Sequence, residues 1–135
     1  MNKDIIILIA EDDRGHFILT EHCLRRAGIE NEIIQLTDGQ EFFDYIYGNG
    51  KGPQLKPGQK YILLLDIRMP KVDGIQVLEK IKQDEDMKDI PVIIISTSDN
   101  PSYIQKCREL GCVEYIVKPL GQNLVDAIES VFQNA

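Results

Sequence analysis

The chain has 135 residues, 43% of them hydrophobic and 27% charged, which is typical of one globular domain with a single core. Its net charge of −7 argues against non-specific nucleic-acid binding, which requires clustered Lys and Arg. The apolar runs IIILIA (5–10) and VIII (92–95) are too short to cross a bilayer, and acids rather than a small-residue cleavage site follow the first. We therefore expect a cytoplasmic protein that binds neither membranes nor nucleic acids.

Predicted strands and helices alternate along the chain. Short continuous apolar runs indicate buried strands, and apolar residues at helical spacing indicate helices. In chain order they predict strand 5–10, helix 14–28, strand 32–36, helix 39–47, strand 61–66, helix 73–84, strand 91–96, helix 101–110, strand 114–118 and helix 121–133. Residues 48–59 contain four glycines and two prolines, which indicates an exposed loop. The alternation predicts one α/β domain over 1–135, a doubly wound sheet of five parallel strands with five helices on its two faces.

The cysteines and histidines indicate neither a disulfide framework nor a zinc site. Cys23, Cys107 and Cys112 are an odd set without a CxxC pair, so we expect reduced and mostly buried thiols. His16 and His22 are six residues apart and do not share a helical face, so we expect both on the surface.

Polar side chains follow four of the predicted strands, at the carboxyl ends where parallel α/β sheets bind ligands. The sequences at these ends are Glu11-Asp12-Asp13, Asp66, Ser96-Thr97-Ser98 and Lys118-Pro119. Each has an ordinary alternative, because acids cap helices, Ser, Thr and Asp form turns, and a lysine before proline is commonly solvated. Their joint occurrence at one sheet edge predicts a common site.

The combination of acids, a hydroxyl and an amine suits phosphoryl capture on a carboxylate. Asp66 would be the nucleophile and would form an acyl phosphate. Clustered carboxylates need a cation, and Mg²⁺, with Mn²⁺ as a substitute, prefers such oxygen ligands. Lys118 would place positive charge near the phosphoryl oxygens, and Ser96 would donate a hydrogen bond to one of them.

The motifs LIAEDD, LLLDIRMPKVDG, PVIIISTS and EYIVKP, in that order, resemble the receiver domains of two-component response regulators, such as the chemotaxis response regulator. The resemblance covers essentially the whole chain. It implies a flavodoxin-like fold with strand order 2-1-3-4-5. It also implies Mg²⁺-dependent transfer of a phosphoryl group to Asp66 from a sensor histidine kinase or a histidine phosphotransfer protein.

The resemblance also implies a set of metal ligands. Asp12 and Asp66 would bind Mg²⁺ directly, Glu11 would bind it through water, and the backbone carbonyl of Arg68 would complete the protein ligands. Because the family has an acidic pair after its first strand, the third acid, Asp13, is left to cap the following helix.

The family's switch maps onto Ser96, Lys118 and Tyr115. Ser96 and Lys118 would contact the phosphoryl group, and the Lys118–Pro119 peptide bond is often cis in the family. As Ser96 moves, Tyr115 would turn inward and shift the face made by the fourth helix, fifth strand and fifth helix. From the residues alone, a surface position for Tyr115 is the simpler interpretation. Positions that tune phosphate hydrolysis in the family correspond to Arg68, Thr97 and Ser98.

The chain ends after the last predicted helix, so we expect a stand-alone receiver without an attached output domain. It would signal by binding an unidentified downstream protein or would pass the phosphate onward in a relay. The sequence neither supports nor excludes a homodimer formed through the switching face. The long loop over 48–59 is similar to that of single-domain regulators that serve bacteriophytochrome-type kinases, so a phytochrome-type kinase is a candidate donor.

Three other classes of protein share parts of this pattern. A phosphohydrolase with an aspartyl nucleophile needs a second acid two residues on, where this chain has Arg68. A flavodoxin-type FMN binder needs a hydroxyl- and glycine-rich loop after the first strand, where EDDRGHF is acidic. A pseudo-receiver would keep the fold as an interaction module without phosphorylation. We expect a phosphoacceptor with self-catalysed phosphorylation and dephosphorylation rather than a dedicated enzyme.

Overall fold

The computed structural model describes residues 4–37, 44, 58–66, 74–85 and 87–134. These residues form strands β1 (Ile6–Ala10), β2 (Ile33–Leu36), β3 (Tyr61–Asp66), β4 (Val92–Ser96) and β5 (Glu114–Val117). They also form helices α1 (Arg14–Arg26), α2 (Gly74–Gln83), α3 (Pro101–Glu109) and α4 (Gln122–Gln133). The predicted bounds of these nine elements are correct to within two residues. The second predicted helix (39–47) and the loop (48–59) lie outside the described residues, apart from Asp44, Gly58 and Gln59.

The five strands form one parallel sheet in the order β2-β1-β3-β4-β5, as predicted. The register pairs Ala10 with Leu65 across β1 and β3, and Ser96 with Val117 across β4 and β5. The strands therefore end at nearly the same level. This alignment brings the residues that follow β1 and β5 to the same edge as the last residues of β3 and β4.

The three central strands β1, β3 and β4 are buried along their whole length, which explains why they are almost continuously apolar. Alternate residues of each strand point to opposite faces and join two separate hydrophobic clusters. One cluster packs β-strand residues against α2 and α3, including Leu78, Ile81 and Cys107. The other packs them against α1 and α4, including Leu24 and Ile128. Each such fully buried Leu or Ile stabilises the fold by about 1.5–3 kcal/mol.

Two helices begin with side-chain caps near the carboxyl edge of the sheet. Asp13 accepts a hydrogen bond from the amide of His16 at 2.9 Å at the start of α1, so its predicted role as the N-cap is confirmed. Asn100 caps α3 in the same way. Gly28 and Gly111, the predicted ends of these helices, have φ values of 86° and 89°, which glycine adopts without strain.

None of the three cysteines is in a disulfide bond. Only Cys107 is fully buried, whereas Cys23 and Cys112 are half-buried, so the prediction of mostly buried thiols was wrong for two of them. Burial, with a smaller effect from Cys112, raises the pKa of the Cys107 thiol to about 11. Among the described helices, none has the length and apolarity that crossing a bilayer requires.

Candidate functional site

Three carboxylates meet at the carboxyl edge of the sheet, beyond β1 and β3. Asp66 is the last residue of β3, and its exposed fraction is 9%, while Glu11 directly after β1 is only 4% exposed. Asp12 is exposed to solvent. One oxygen from each of these side chains lies within 4.8 Å of the others. The predicted acidic cluster therefore exists in the folded chain, around the end of the central strand.

Lys118 places its ammonium among these carboxylates. Its Nζ atom lies 3.1 Å from Oε1 of Glu11 and 3.5 Å from Oδ2 of Asp66. The Lys118 amide donates a hydrogen bond to the carbonyl of Ser96 at 2.7 Å, which fixes the end of β5 against the end of β4. The Lys118–Pro119 peptide bond is cis, as the family resemblance implied. One ammonium therefore interacts with two buried carboxylates.

The electrostatics of this edge favour a further cation. Burial raises the pKa of Glu11 to about 7, and a side-chain hydrogen bond to Asp66 and repulsion by its charge add to this effect. Lys118 acts in the opposite direction but does not offset the increase. Because clustered carboxylates are all ionised most easily around a cation, the donor set of Glu11, Asp12 and Asp66 fits a hard divalent ion.

Ser96 is 1% exposed and begins a hydrogen-bonded turn between β4 and α3. Its Oγ atom accepts a hydrogen bond from the Ser98 amide at 3.0 Å. Ser98 in turn accepts two hydrogen bonds, one at its carbonyl from the Tyr115 hydroxyl at 2.8 Å and one at its Oγ from the Asn100 amide at 3.2 Å. Ser98 therefore connects the Ser96 hydroxyl, Tyr115 and the N-cap of α3.

Tyr115 is 7% exposed and belongs to the hydrophobic cluster under α2 and α3. The alternative interpretation, that Tyr115 lies on the surface, is therefore wrong.

Thr97 is exposed. It lies with Lys118 along a groove of about 830 Å³ between α1 and α4. Arg68 lies outside the described residues, so its roles as a metal ligand, through its backbone carbonyl, and as a tuning residue stay predictions.

Two residues that the sequence interpretation did not assign to the site also contact it. The Gln35 side chain donates a hydrogen bond to the Glu11 carbonyl at 3.2 Å, and Arg14 donates to Gln35. The Nδ1 atom of His16 lies 3.4 Å from Nζ of Lys118 and 3.9 Å from Oε1 of Glu11. The His16 side chain is half exposed, as predicted, but it reaches the site as well. Its location in the first turn of the helix after β1 was the signal available in the sequence.

The chain belongs to the response regulator receiver domain family, whose model matches residues 7–129. The response regulator Rcp1 from Synechocystis sp. is 33% identical over 135 residues, covering 96% of this chain and 86% of Rcp1. These matches confirm the predicted family and its association with two-component signalling.

Solved structures agree with this assignment. A receiver domain from Rhodospirillum rubrum has a TM-score of 0.79 at 38% identity and covers 94% of this chain and 90% of that chain. The bacteriophytochrome response regulator RtBRR has a TM-score of 0.82 at 33% identity, with coverage of 95% and 77%. The Mn(2+)-bound form of Rcp1 has a TM-score of 0.73 at 32% identity, with coverage of 95% and 89%. The flavodoxin-like receiver fold is therefore confirmed.

Proposed function

We propose that this protein is a phosphoacceptor in which Asp66 takes a phosphoryl group from a phosphohistidine of a sensor histidine kinase or a histidine phosphotransfer protein. The observation that carries the proposal is the Lys118 ammonium, 3.5 Å from Asp66 and 3.1 Å from Glu11, at the edge where Asp12 completes an acidic cluster. A buried carboxylate beside a fixed ammonium and a cation-binding cluster suits attack on a phosphoryl group better than it suits a turn.

In the transfer, a carboxylate oxygen of Asp66 attacks the phosphorus atom and the bond from phosphorus to the donor nitrogen breaks. The electron pair of that bond stays on the donor imidazole. Lys118 would then turn its N–H groups from the Asp66 carboxylate to the phosphoryl oxygens, and the Ser96 hydroxyl would donate to another. Hydrolysis of the resulting acyl phosphate by water would restore Asp66, with its rate tuned at Thr97, Ser98 and Arg68.

Glu11, Asp12 and Asp66 would hold Mg²⁺, or Mn²⁺ in its place, together with the backbone carbonyl of Arg68. The bound cation would neutralise the charge of the phosphoryl oxygens during transfer. The acidic cluster of this chain supports the assignment. The Mn(2+)-bound form of the similar protein Rcp1 supports it as well.

The output would be a change in the face formed by α3, β5 and α4. When Ser96 moves to the phosphoryl group, the Ser98 amide would lose the Ser96 hydroxyl as its acceptor. Tyr115 would be affected in turn, because its hydroxyl donates a hydrogen bond to the Ser98 carbonyl. Such a change would shift the population of this face toward a state that binds a downstream protein. A second copy of the chain is another candidate partner for this face.

Similarity to the bacteriophytochrome response regulator RtBRR favours a phytochrome-type kinase as the donor. Onward transfer of the phosphate in a relay would use the same chemistry in reverse. Such a regulator would act in the cytoplasm, without nucleic-acid or membrane partners. It would change its own phosphorylation state rather than turn over a substrate, so it would not be a dedicated enzyme.

Acetyl phosphate with Mg²⁺ tests the proposal, because it donates the phosphoryl group and leaves as acetate. We expect the intact mass of the wild-type protein to increase by one base-labile phosphoryl group. Asp66→Asn should gain none, and Asp126→Asn, a matched change of an acid on the exposed side of α4, should label like the wild type. Equal labelling of Asp66→Asn would contradict the assignment of the acceptor. A wild-type protein that takes no phosphoryl group would be a pseudo-receiver.

A further inference from the structure

The Lys118 ammonium has a third neighbour besides the two carboxylates. An ammonium carries three N–H donors and no acceptor. In this structure Glu11 Oε1, Asp66 Oδ2 and His16 Nδ1 lie 3.1, 3.5 and 3.4 Å from Nζ. The side chain is only 16% exposed, and among the described residues these three groups are the partners that compete with water for its N–H donors. Each donor of the ammonium can therefore have a protein partner.

A hydrogen bond across this contact would define which imidazole nitrogen of His16 carries the proton. Because the ammonium only donates, Nδ1 would accept, and the neutral ring would carry its hydrogen on Nε2. The backbone at His16 is fixed by the helix cap, since its amide donates to the Asp13 side chain at 2.9 Å. This places the imidazole in the first turn of α1, within reach of Lys118.

We propose that His16 is a positioning residue that holds the Lys118 ammonium between Glu11 and Asp66. The ammonium is closer to Glu11 than to Asp66. Without the third acceptor, one N–H would turn to water, and the ammonium would be free to settle against Glu11 and away from the nucleophile. The consequence for phosphoryl transfer rests on the proposed function, but the arrangement of the ammonium does not.

Three variants separate the acceptor from the bulk of the ring. His16→Leu removes the acceptor and keeps an apolar side chain of similar size. His16→Asn keeps a carbonyl oxygen at about the distance of Nδ1 from the backbone. His22→Leu is the matched control, since it replaces the other exposed histidine of α1. Thermal unfolding of each variant establishes that the fold is retained.

The first readout is ¹⁵N NMR of the unphosphorylated full chain at mildly alkaline pH. We expect the Nε2–H tautomer for His16 and an observable Lys118 ammonium signal, assigned through Lys118→Arg. That signal should shift or disappear in His16→Leu and persist in His16→Asn and His22→Leu. The Nδ1–H tautomer, no ammonium signal in the wild type, or an unchanged signal in His16→Leu would each overturn the proposal.

The second readout is the rate of phosphorylation by acetyl phosphate at saturating Mg²⁺. The net contribution of one typical hydrogen bond predicts a decrease of roughly three- to tenfold in His16→Leu, with His16→Asn within about twofold of the wild type. Equal rates in His16→Leu and the wild type would contradict a role in transfer. If the wild type is not phosphorylated at all, the proposed function fails, while the NMR readout still decides whether His16 positions Lys118.

Discussion

At the scale of single residues, the candidate site holds like charges close together at a cost in stability. Glu11 and Asp66 are both buried, and one ammonium lies between them, so the group of three carries an excess negative charge when all are ionised. Burial is the main cause of the raised pKa of Glu11, and the hydrogen bond and charge of Asp66 add to it. Residues arranged for function in this way are commonly less than optimal for folding.

Asp66→Asn should therefore stabilise the protein in metal-free buffer. The substitution removes one of the two buried carboxylates and leaves Glu11 paired with Lys118. We expect the free energy of unfolding to increase by about 1 kcal/mol. Urea denaturation measures it, with Asp126→Asn as the surface control. A destabilised Asp66→Asn protein would mean that the pair with Lys118 outweighs the repulsion.

A second prediction at this scale concerns Cys107. Its thiol pKa is raised from 9.0 to about 11 by burial, so the unfolded chain loses this proton at lower pH than the folded one. Stability from this group is complete below pH 9 and is lost between pH 9 and 11. The loss amounts to about 2 kcal/mol at pH 11. Urea denaturation across this range should give a steeper decrease for the wild type than for Cys107→Ala, and parallel slopes would contradict the prediction.

At the scale of secondary-structure elements, the start of α3 is joined to the site by a short turn. Ser98 bonds to the Ser96 hydroxyl on one side and to the Asn100 amide on the other, and Asn100 caps the helix. Only four residues thus separate the end of β4 from the helix that forms part of the proposed output face. Changes at Ser96 have a direct structural route to α3.

Asn100→Ala tests how firmly this turn holds α3. Loss of the cap should lower the free energy of unfolding by about 1 kcal/mol. Hydrogen exchange should also become faster at the Ser102 amide, which donates to the Asn100 side chain at 2.8 Å. Asp13→Ala, which removes the cap of α1, is the matched control and should leave the Ser102 amide protected. Unchanged exchange at Ser102 in Asn100→Ala would show that the turn, not the cap, orders the helix.

The fold was easier to predict from the sequence than the site, because the elements depend on local patterns and the site depends on contacts between distant residues. Strand and helix periodicities and the glycines at 28 and 111 are local, so the sequence predicts the nine described elements closely. Asp66 and Lys118 were found because Asp66 ends β3 and Lys118 directly follows β5. Gln35 was missed because its contact with Glu11 has no local signature, and His16 was missed because only its place in the first turn after β1 pointed to the contact with Lys118.

At the scale of the whole molecule, a bound cation would link the ends of β1 and β3. We expect Mg²⁺ to stabilise the folded protein, by about 2.7 kcal/mol at a hundredfold excess over its Kd. The gain should be much smaller in Asp12→Asn, and Asp126→Asn should respond like the wild type. Thermal unfolding with and without Mg²⁺ measures the difference. An Asp12→Asn protein stabilised as strongly as the wild type would exclude Asp12 as a ligand.

The alignment of the strand ends also bears on how the protein folds. Glu11, Asp66 and Lys118 lie at the carboxyl ends of β1, β3 and β5. These three strands are far apart in the sequence, so the site forms only when distant parts of the chain come together. Contacts of such long range form late, because the loops between them must close first. A site that contains all three side chains therefore indicates that the sheet is complete. A partly folded or truncated chain lacking β5 would keep the acids without their lysine.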